Sequence, residues 1–268
     1  MGYETDLTDA QWAIFEPLVP PAKTGGRRRT TSMRRVIDAV FYLLKTGCHW
    51  RMLPSDFPPW RTVYEYFAKW AQKPILRRIQ RILYFKVRAS VGRQPMPTVA
   101  IIDSQTVPTG KMGGVRGYDG GKKKKGRKRH VVVDVLGLMI GARVTAANVH
   151  DTKGGERALR NVTKFLRLPD LKKIYADKGY QGENFAKFVD DEFDGAMVQI
   201  GNNATNPIDG FVPDKQRWVV ERTFAWIFDN RRLTIDYERR IVHSQGMLRL
   251  AAIRTMIRRL APNPVLTW

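Results

Sequence analysis

Cysteine is nearly absent: Cys48 is the only one in 268 residues. A lone thiol forms no internal disulfide, and with no partner cysteines it belongs to no thiolate metal site. Histidine is scarce too, at four, which leaves little material for imidazole metal sites. No apolar run approaches the ~18 residues that span a bilayer. The start, Met1-Gly2-Tyr3-Glu4, has neither the basic nor the apolar stretch of a signal peptide. These absences favour a reducing cytoplasmic setting and give no support to a membrane span. Acidic residues are the most telling shortage, 25 against 47 Lys and Arg, for a formal net charge of +22. Self-repulsion on that scale usually reflects a polyanionic partner, with nucleic acid first and an anionic membrane surface second.

With 43% hydrophobic residues the chain has ample apolar surface to bury, and its length suits one large domain or two modest ones. Its patterning changes near Arg93-Gln94-Pro95-Met96-Pro97. Before that point apolar residues recur at helical spacing: Trp12, Phe15 and Leu18 after a Thr8/Gln11 capping box; Val36, Val40, Phe41 and Leu44, closed by Gly47; Val63, Tyr64, Phe67 and Trp70; and Ile75, Ile79, Ile82 and Leu83. Residues 1–95 carry 17 basic and 7 acidic side chains, net +10, leaving +12 for the remainder. Arg27, Arg28 and Arg29 in one loop, with Arg77 and Arg78 on the fourth helix, make 1–95 a candidate helical DNA-binding domain of helix-turn-helix type. A helical bundle with merely solvated basic residues is the plainer alternative.

Residues 96–268 read as α/β. Apolar segments Thr98–Ile102, His130–Val135, Leu138–Thr145, Lys172–Ala176 and Ala196–Ile200 predict strands. Helical patterns cover Thr152–Leu166, Phe185–Val189, Arg217–Phe228 and Gln245–Leu260. Three early strands followed by alternating helices and strands fit an RNase H-like mixed sheet flanked by helices. Asp151 or Thr152 is the expected N-cap of the first of these helices. His150-Asp151 could lie near a site, whereas His130 matches no metal motif. Trp60, Trp70, Trp218 and Trp226 fit core positions better than base-stacking platforms.

Asp103 directly follows the apolar Val99-Ala100-Ile101-Ile102, and Asp177 follows Ile174-Tyr175-Ala176. Both are therefore expected at strand ends, where α/β sites assemble. Glu221 lies in the apolar helical stretch Trp218–Trp226, four residues after Arg217 on the same helical face. Taken singly, each aspartate reads more readily as a turn cap, and Glu221–Arg217 reads equally well as a structural ion pair. Lys122, Lys123, Lys124, Lys125, Arg127, Lys128 and Arg129 put seven positive charges into eight residues, expected as a flexible loop that contacts phosphates.

Three blocks carry a resemblance: Ile101-Ile102-Asp103-Ser104-Gln105-Thr106-Val107, Tyr175-Ala176-Asp177-Lys178-Gly179-Tyr180 and Arg217-Trp218-Val219-Val220-Glu221-Arg222. Together they look like the signature blocks of insertion-sequence transposases, nearest to the insertion-sequence-five group of the DDE superfamily. Leu7–Trp12, Gly47–Pro54 and Ala147–Asp151 are similar to that group as well. The resemblance implies an RNase H-like catalytic domain over 96–268 and a triad of Asp103, Asp177 and Glu221 holding two Mg²⁺, or Mn²⁺ in their place. It also implies recognition of terminal inverted repeats in double-stranded DNA, end cleavage, joining of 3′-hydroxyl ends to target DNA, and a homodimer handling two ends. Arg217 and Glu221 match the Arg and Glu of the family's Tyr-Arg-Glu-Lys arrangement. Its Tyr falls on Asp214 and its Lys on Phe228, with Arg231 or Arg232 as substitutes for the Lys. A nuclease without strand transfer and an inactive DNA-binding derivative are the rival readings.

Overall fold

The computed structural model describes residues 2–263 apart from 23, 26, 27, 112, 165, 202–204, 207–209 and 212–214, with backbone only at 205, 206, 210, 211 and 215–217. The first third is helical: α1 (Asp9–Phe15), α2 (Met33–Thr46), α3 (Trp60–Gln72) and α4 (Ile75–Ser90). The capping box forms, with the Thr8 side chain accepting from the Gln11 amide and the Gln11 side chain accepting from the Thr8 amide. Helix α2 ends at Gly47, whose φ of 73° is the left-handed conformation that stops a helix without Cβ strain. Only Lys73 and Pro74 separate α3 from α4, the shortest helix–helix junction among the described residues of this segment.

The remainder holds strands β1 (Val99–Pro108), β2 (Gly117–Asp119), β3 (Lys124–Asp134) and β4 (Met139–Ala146), then α5 (Asp151–Thr163), β5 (Lys173–Ala176), α6 (Glu183–Glu192), β6 (Met197–Ile200), α7 (Lys215–Phe228) and α8 (Ile241–Leu260). β3 pairs antiparallel with β1 on one side and with β2 and β4 in succession on the other; β5 and β6 then extend the sheet in parallel beyond β1. This is the mixed RNase H-like sheet that the pattern predicts.

Two strands run longer than expected. β1 continues past Asp103 to Pro108, and β3 begins at Lys124 rather than at His130. The two extensions pair with each other, from Ser104↔His130 to Pro108↔Gly126. The basic run from Lys124 onward is therefore a strand, not a flexible loop.

The faces of the sheet are covered differently. Helix α5 lies on the face of Ile102, Ser104 and His130: a Cβ on Gly155 would fall 2.6 Å from Tyr180 and 3.2 Å from Ile102, and one on Gly154 would strike the His130 ring. Bare backbone lets α5 sit this close. Helix α7 packs across β1, β3 and β5. Helix α8, buried over most of its circumference, contacts α1, α2, α3, α4, α7 and β4 and is the spine shared by the helical segment and the sheet. The outer edge of β4 is closed by side chains, Gln80 Nε2 donating to the Met139 carbonyl and Gln245 Nε2 to the Ala142 carbonyl. A buried Arg88–Asp134 pair ties α4 to β3, while Asp134 also accepts from the Leu136 and Leu138 amides of the β3–β4 turn.

Candidate active site

Strand register brings the two aspartates together. In the parallel β1–β5 pair Ile101 lies opposite Tyr175. Asp103 lies two residues further along β1, and Asp177 lies one residue past the end of β5, on strands about 4.8 Å apart. Asp103 sits within β1 rather than at its end. The sheet's rim at this point is the end of β5, where Asp177 accepts from the Gly179 amide at 3.0 Å and caps a short turn at Lys178–Tyr180.

A third carboxylate arrives from the opposite face. The N-cap of α5 is His150, which accepts from the Thr152 amide, so Asp151 is the first helical residue and not the cap expected from its sequence. A Cβ on Gly179 would lie 3.1 Å from both Asp151 Oδ2 and Asp177 Oδ1, a direct measure of how near these carboxylates are. The buried Tyr180 hydroxyl sits among them. Burial first, then Asp103, Asp151 and Asp177, hold its proton far above the ordinary phenol range. Asp151 accepts from Ser104 Oγ at 2.7 Å and meets Lys128 Nζ at 3.1 Å. Lys128 also reaches Asp119 at 3.6 Å, and Asp119 accepts from Thr106. Sequence reasoning reached the linked Ser104–Asp151–Lys128–Asp119 group only in part, through His150-Asp151.

Glu221 is exposed, one position along from Val220 in the buried stripe Val220, Thr223, Phe224 and Ile227. It rides on α7, which packs across β1 and β5. Among the described residues, no three acidic, His or Cys side chains already stand at metal-ligating distance. The available donors are carboxylate oxygens, the set suited to a hard divalent cation.

The expected DNA contacts divide sharply. Lys122, Lys123, Lys124 and Lys125 are exposed around the β2–β3 turn, with Lys123 in the left-handed region at φ 50°. Arg127 and Arg129 are wholly buried and Lys128 nearly so, which corrects their reading as phosphate contacts. Arg127 pairs with Asp236 at 3.1 Å and donates to the Glu238 and Arg239 carbonyls. Arg129 donates to the Leu233 carbonyl at 2.6 Å. Arg28, Arg29 and Arg78 are exposed and Arg77 is half-buried; Arg27 and the Arg217 side chain lie outside the described residues, as does Asp214. Arg232 is buried against Glu238 at 2.8 Å and so is not available to replace the family's Lys, whereas Arg231 is exposed. Trp70 is core as expected, but Trp60 and Trp218 are exposed, Trp218 lying under the Arg222 guanidinium at 4.6 Å.

A mixed RNase H-like sheet with Asp103 within β1 and Asp177 just past the end of its parallel neighbour β5 offers carboxylate oxygens suited to divalent-metal chemistry. Known proteins narrow this further. Residues 94–256 match the family "Transposase DDE domain", and residues 7–80 match "Putative transposase of IS4/5 family". The chain belongs to the IS4/5 family of DDE transposases. It is 34% identical over 134 residues, 44% of this chain and 57% of the relative, to the "Putative transposase for insertion sequence element IS402" of Burkholderia cepacia. It is 29% identical over 90 residues, 31% of this chain and 61% of the relative, to "Insertion element IS402 uncharacterized 16.2 kDa protein" of the same organism. "Uncharacterized protein y4sN" of Sinorhizobium fredii (strain NBRC 101917 / NGR234) is 29% identical over 77 residues, 29% of this chain and 62% of the relative. These matches span 57% to 62% of the relatives' own lengths. Members of the DDE family employ divalent metal. Among the described residues no helix is long and apolar enough to cross a membrane.

Proposed function

We propose that the protein is the DNA transposase of a bacterial insertion sequence, acting in the cytoplasm, with residues 1–95 binding DNA and 96–268 carrying the chemistry. The observation that carries this reading is the placement of Asp103 in β1 and of Asp177 just past the end of its parallel neighbour β5, with the helix of Glu221 packed across those strands.

Asp103, Asp177 and Glu221 would hold two Mg²⁺ ions, or Mn²⁺ in their place. Divalent ions at such a site activate water or a 3′-hydroxyl and stabilise the leaving oxygen. Asp103 would supply the fixed part of the shell from within β1, and Asp177 would add to it from the turn just past β5, where the Gly179 amide holds its carboxylate. Glu221 completes it from α7, and Arg217 orients Glu221 or a phosphate. Ser104 and Lys128 hold Asp151 beside Asp177 and so stiffen the rim. Exposed Lys122–Lys125, Arg28, Arg29 and Arg78 give the protein its sequence-independent hold on the DNA backbone. The substrates are double-stranded terminal inverted repeats and target DNA, and a homodimer would process two ends together.

The test is Mg²⁺-dependent cleavage of DNA carrying the element's ends, comparing the intact protein with Asp177→Asn. That substitution keeps shape and removes charge. Cleavage by the intact protein alone, with DNA binding retained in both, supports the assignment. Equal cleavage by both would move the metal site elsewhere. Binding without cleavage by either would leave a DNA-binding protein derived from a transposase. Cleavage without joining of paired ends would leave a nuclease.

A further inference from the structure

Tyr180 closes the short turn after β5, its amide donating to the Asp177 carbonyl at 3.1 Å. Its ring is buried, 1% exposed, and rests against Phe185 with the ring centroids 5.4 Å apart. Bare helix backbone forms another wall of its slot: a Cβ on Gly155 would fall 2.6 Å from the ring Cε1 and 3.2 Å from Ile102 Cδ1. Ile102 immediately precedes Asp103 in β1, and Gly155 lies one helical turn after Asp151, on the same face of α5. The slot therefore fixes the ring between the segments that deliver Asp103, Asp151 and Asp177. All three carboxylates act on its hydroxyl, Asp103 the most strongly.

That hydroxyl is buried and makes no hydrogen bond among the described residues. Lack of a partner is not peculiar to it, since the buried Tyr84 hydroxyl shares it; what sets Tyr180 apart is its place among the carboxylates. The other donors of that group are committed. Ser104, which neighbours the Tyr180 hydroxyl, gives its own proton to Asp151 at 2.7 Å, and Lys128 meets Asp151 at 3.1 Å. The Gly179 amide donates to Asp177 at 3.0 Å and the Ser104 amide to Asp103 at 2.6 Å. Converging carboxylates repel, and among the described residues no three acidic, His or Cys side chains yet stand at metal-ligating distance. A buried O–H in the midst of them is a donor that a carboxylate can take up as the group closes on a cation.

We propose that Tyr180 is a positioning residue of the metal centre: its hydroxyl donates to the Asp103 carboxylate and holds it beside Asp177 in ligating geometry. This rests on the assignment of Asp103 and Asp177 as ligands made above. In this role Tyr180 acts through the carboxylates rather than on the metal or the DNA, as the outer hydrogen-bond partners of metal ligands do. The same residue serves packing and chemistry at once, its ring wedged between α5 and the turn after β5 and its hydroxyl turned to the acids.

The experiment uses the full chain and three proteins: the parent, Tyr180→Phe and Asp177→Asn. Each is titrated with Mn²⁺ in the absence of DNA, and the free ion is followed by electron paramagnetic resonance. Melting temperatures are read without metal, and the folding of each variant is checked by circular dichroism. Cleavage of end-bearing DNA is then measured against Mn²⁺ concentration. The phenylalanine keeps the ring in its slot, so Tyr180→Phe should melt no lower than the parent without metal. It should bind Mn²⁺ roughly tenfold more weakly. Half-maximal cleavage should need correspondingly more metal, while the rate at saturating Mn²⁺ stays near the parent's. Unchanged Mn²⁺ affinity in Tyr180→Phe, where Asp177→Asn has lost it, overturns the positioning role and leaves the ligand assignment standing. Weaker binding accompanied by a markedly lower metal-free melting temperature marks a packing defect and overturns the role as well. Equal binding by the parent and Asp177→Asn, or none by the parent, refutes the ligand assignment and the positioning role with it.

Discussion

His130 makes the resistance of this fold to acid measurable at one side chain. Its ring is fully buried on the α5 face, with Nε2 beside Thr145 Oγ1 at 3.1 Å and Nδ1 4.0 Å from Asp151. Burial outweighs the attraction of Asp151, itself shared with Lys128, and brings the histidine down from 6.5 to about 4. A pKa depressed in the folded state means the fold holds the ring neutral. The associated stability is fully present above about pH 6.5 and is lost as pH falls toward 4. Between about pH 7 and about pH 4.5 this linkage costs roughly 2.5 kcal/mol.

Asp38 works against it. Its carboxyl is buried in α2, accepts from the Leu7 amide at 2.9 Å, and burial raises it to about 6. Stability from this group is fully present below its unfolded pKa and is lost as pH rises through 6, so acidification over the same window returns roughly 2 kcal/mol. From these two groups the parent protein should therefore change little, and the separate contributions emerge only by substitution. His130→Gln keeps a polar head for Thr145 and removes the titration. In urea unfolding followed by tryptophan fluorescence, the variant's stability at about pH 4.5 relative to about pH 7 should exceed the parent's by roughly 2.5 kcal/mol. Comparing differences cancels the general acid effect of a chain already at +22. Identical pH dependence in parent and variant, to within about 0.5 kcal/mol, refutes the placement of a neutral buried imidazole at this position.

Two further predictions separate the hidden from the exposed charges of the basic run. Arg127→Ala leaves Asp236 buried without its partner and should cost about 3–5 kcal/mol, whereas Arg127→Met with Asp236→Leu should recover much of that loss in the same urea titration. Replacing Lys122, Lys123, Lys124 and Lys125 together by Gln should leave the melting temperature nearly unchanged and lower the salt slope of DNA binding by up to about 3.6; a large fall in melting temperature would refute their reading as surface charge.

Local signals in the sequence are legible to within a few residues. The Thr8/Gln11 capping box, the Gly47 stop and the apolar strand before Asp177 all depend on neighbours a few positions away, and all appear in the fold. What escapes a linear reading is set by partners far along the chain. Arg127 and Arg129 look like part of a phosphate-binding run because their neighbours are lysines; their actual partners, Asp236, Glu238 and Leu233, lie over a hundred residues away. The same distance hides the true length of β1, because Ser104–Pro108 have no apolar signature and become a strand only by pairing with Gly126–His130. Once that strand exists, its period of two sorts the charges. Arg127 and Arg129 turn to the face of Asp236 and Leu233, Lys128 turns to Asp119 and Asp151, and the lysines of the turn remain in solvent. A formal charge of +22 therefore overstates what is available to DNA. Part of it is spent inside the protein, pinning the segment after α7 to the sheet and holding Asp151 beside Asp177, so the basic composition that points to a nucleic-acid partner also builds the frame of the candidate active site.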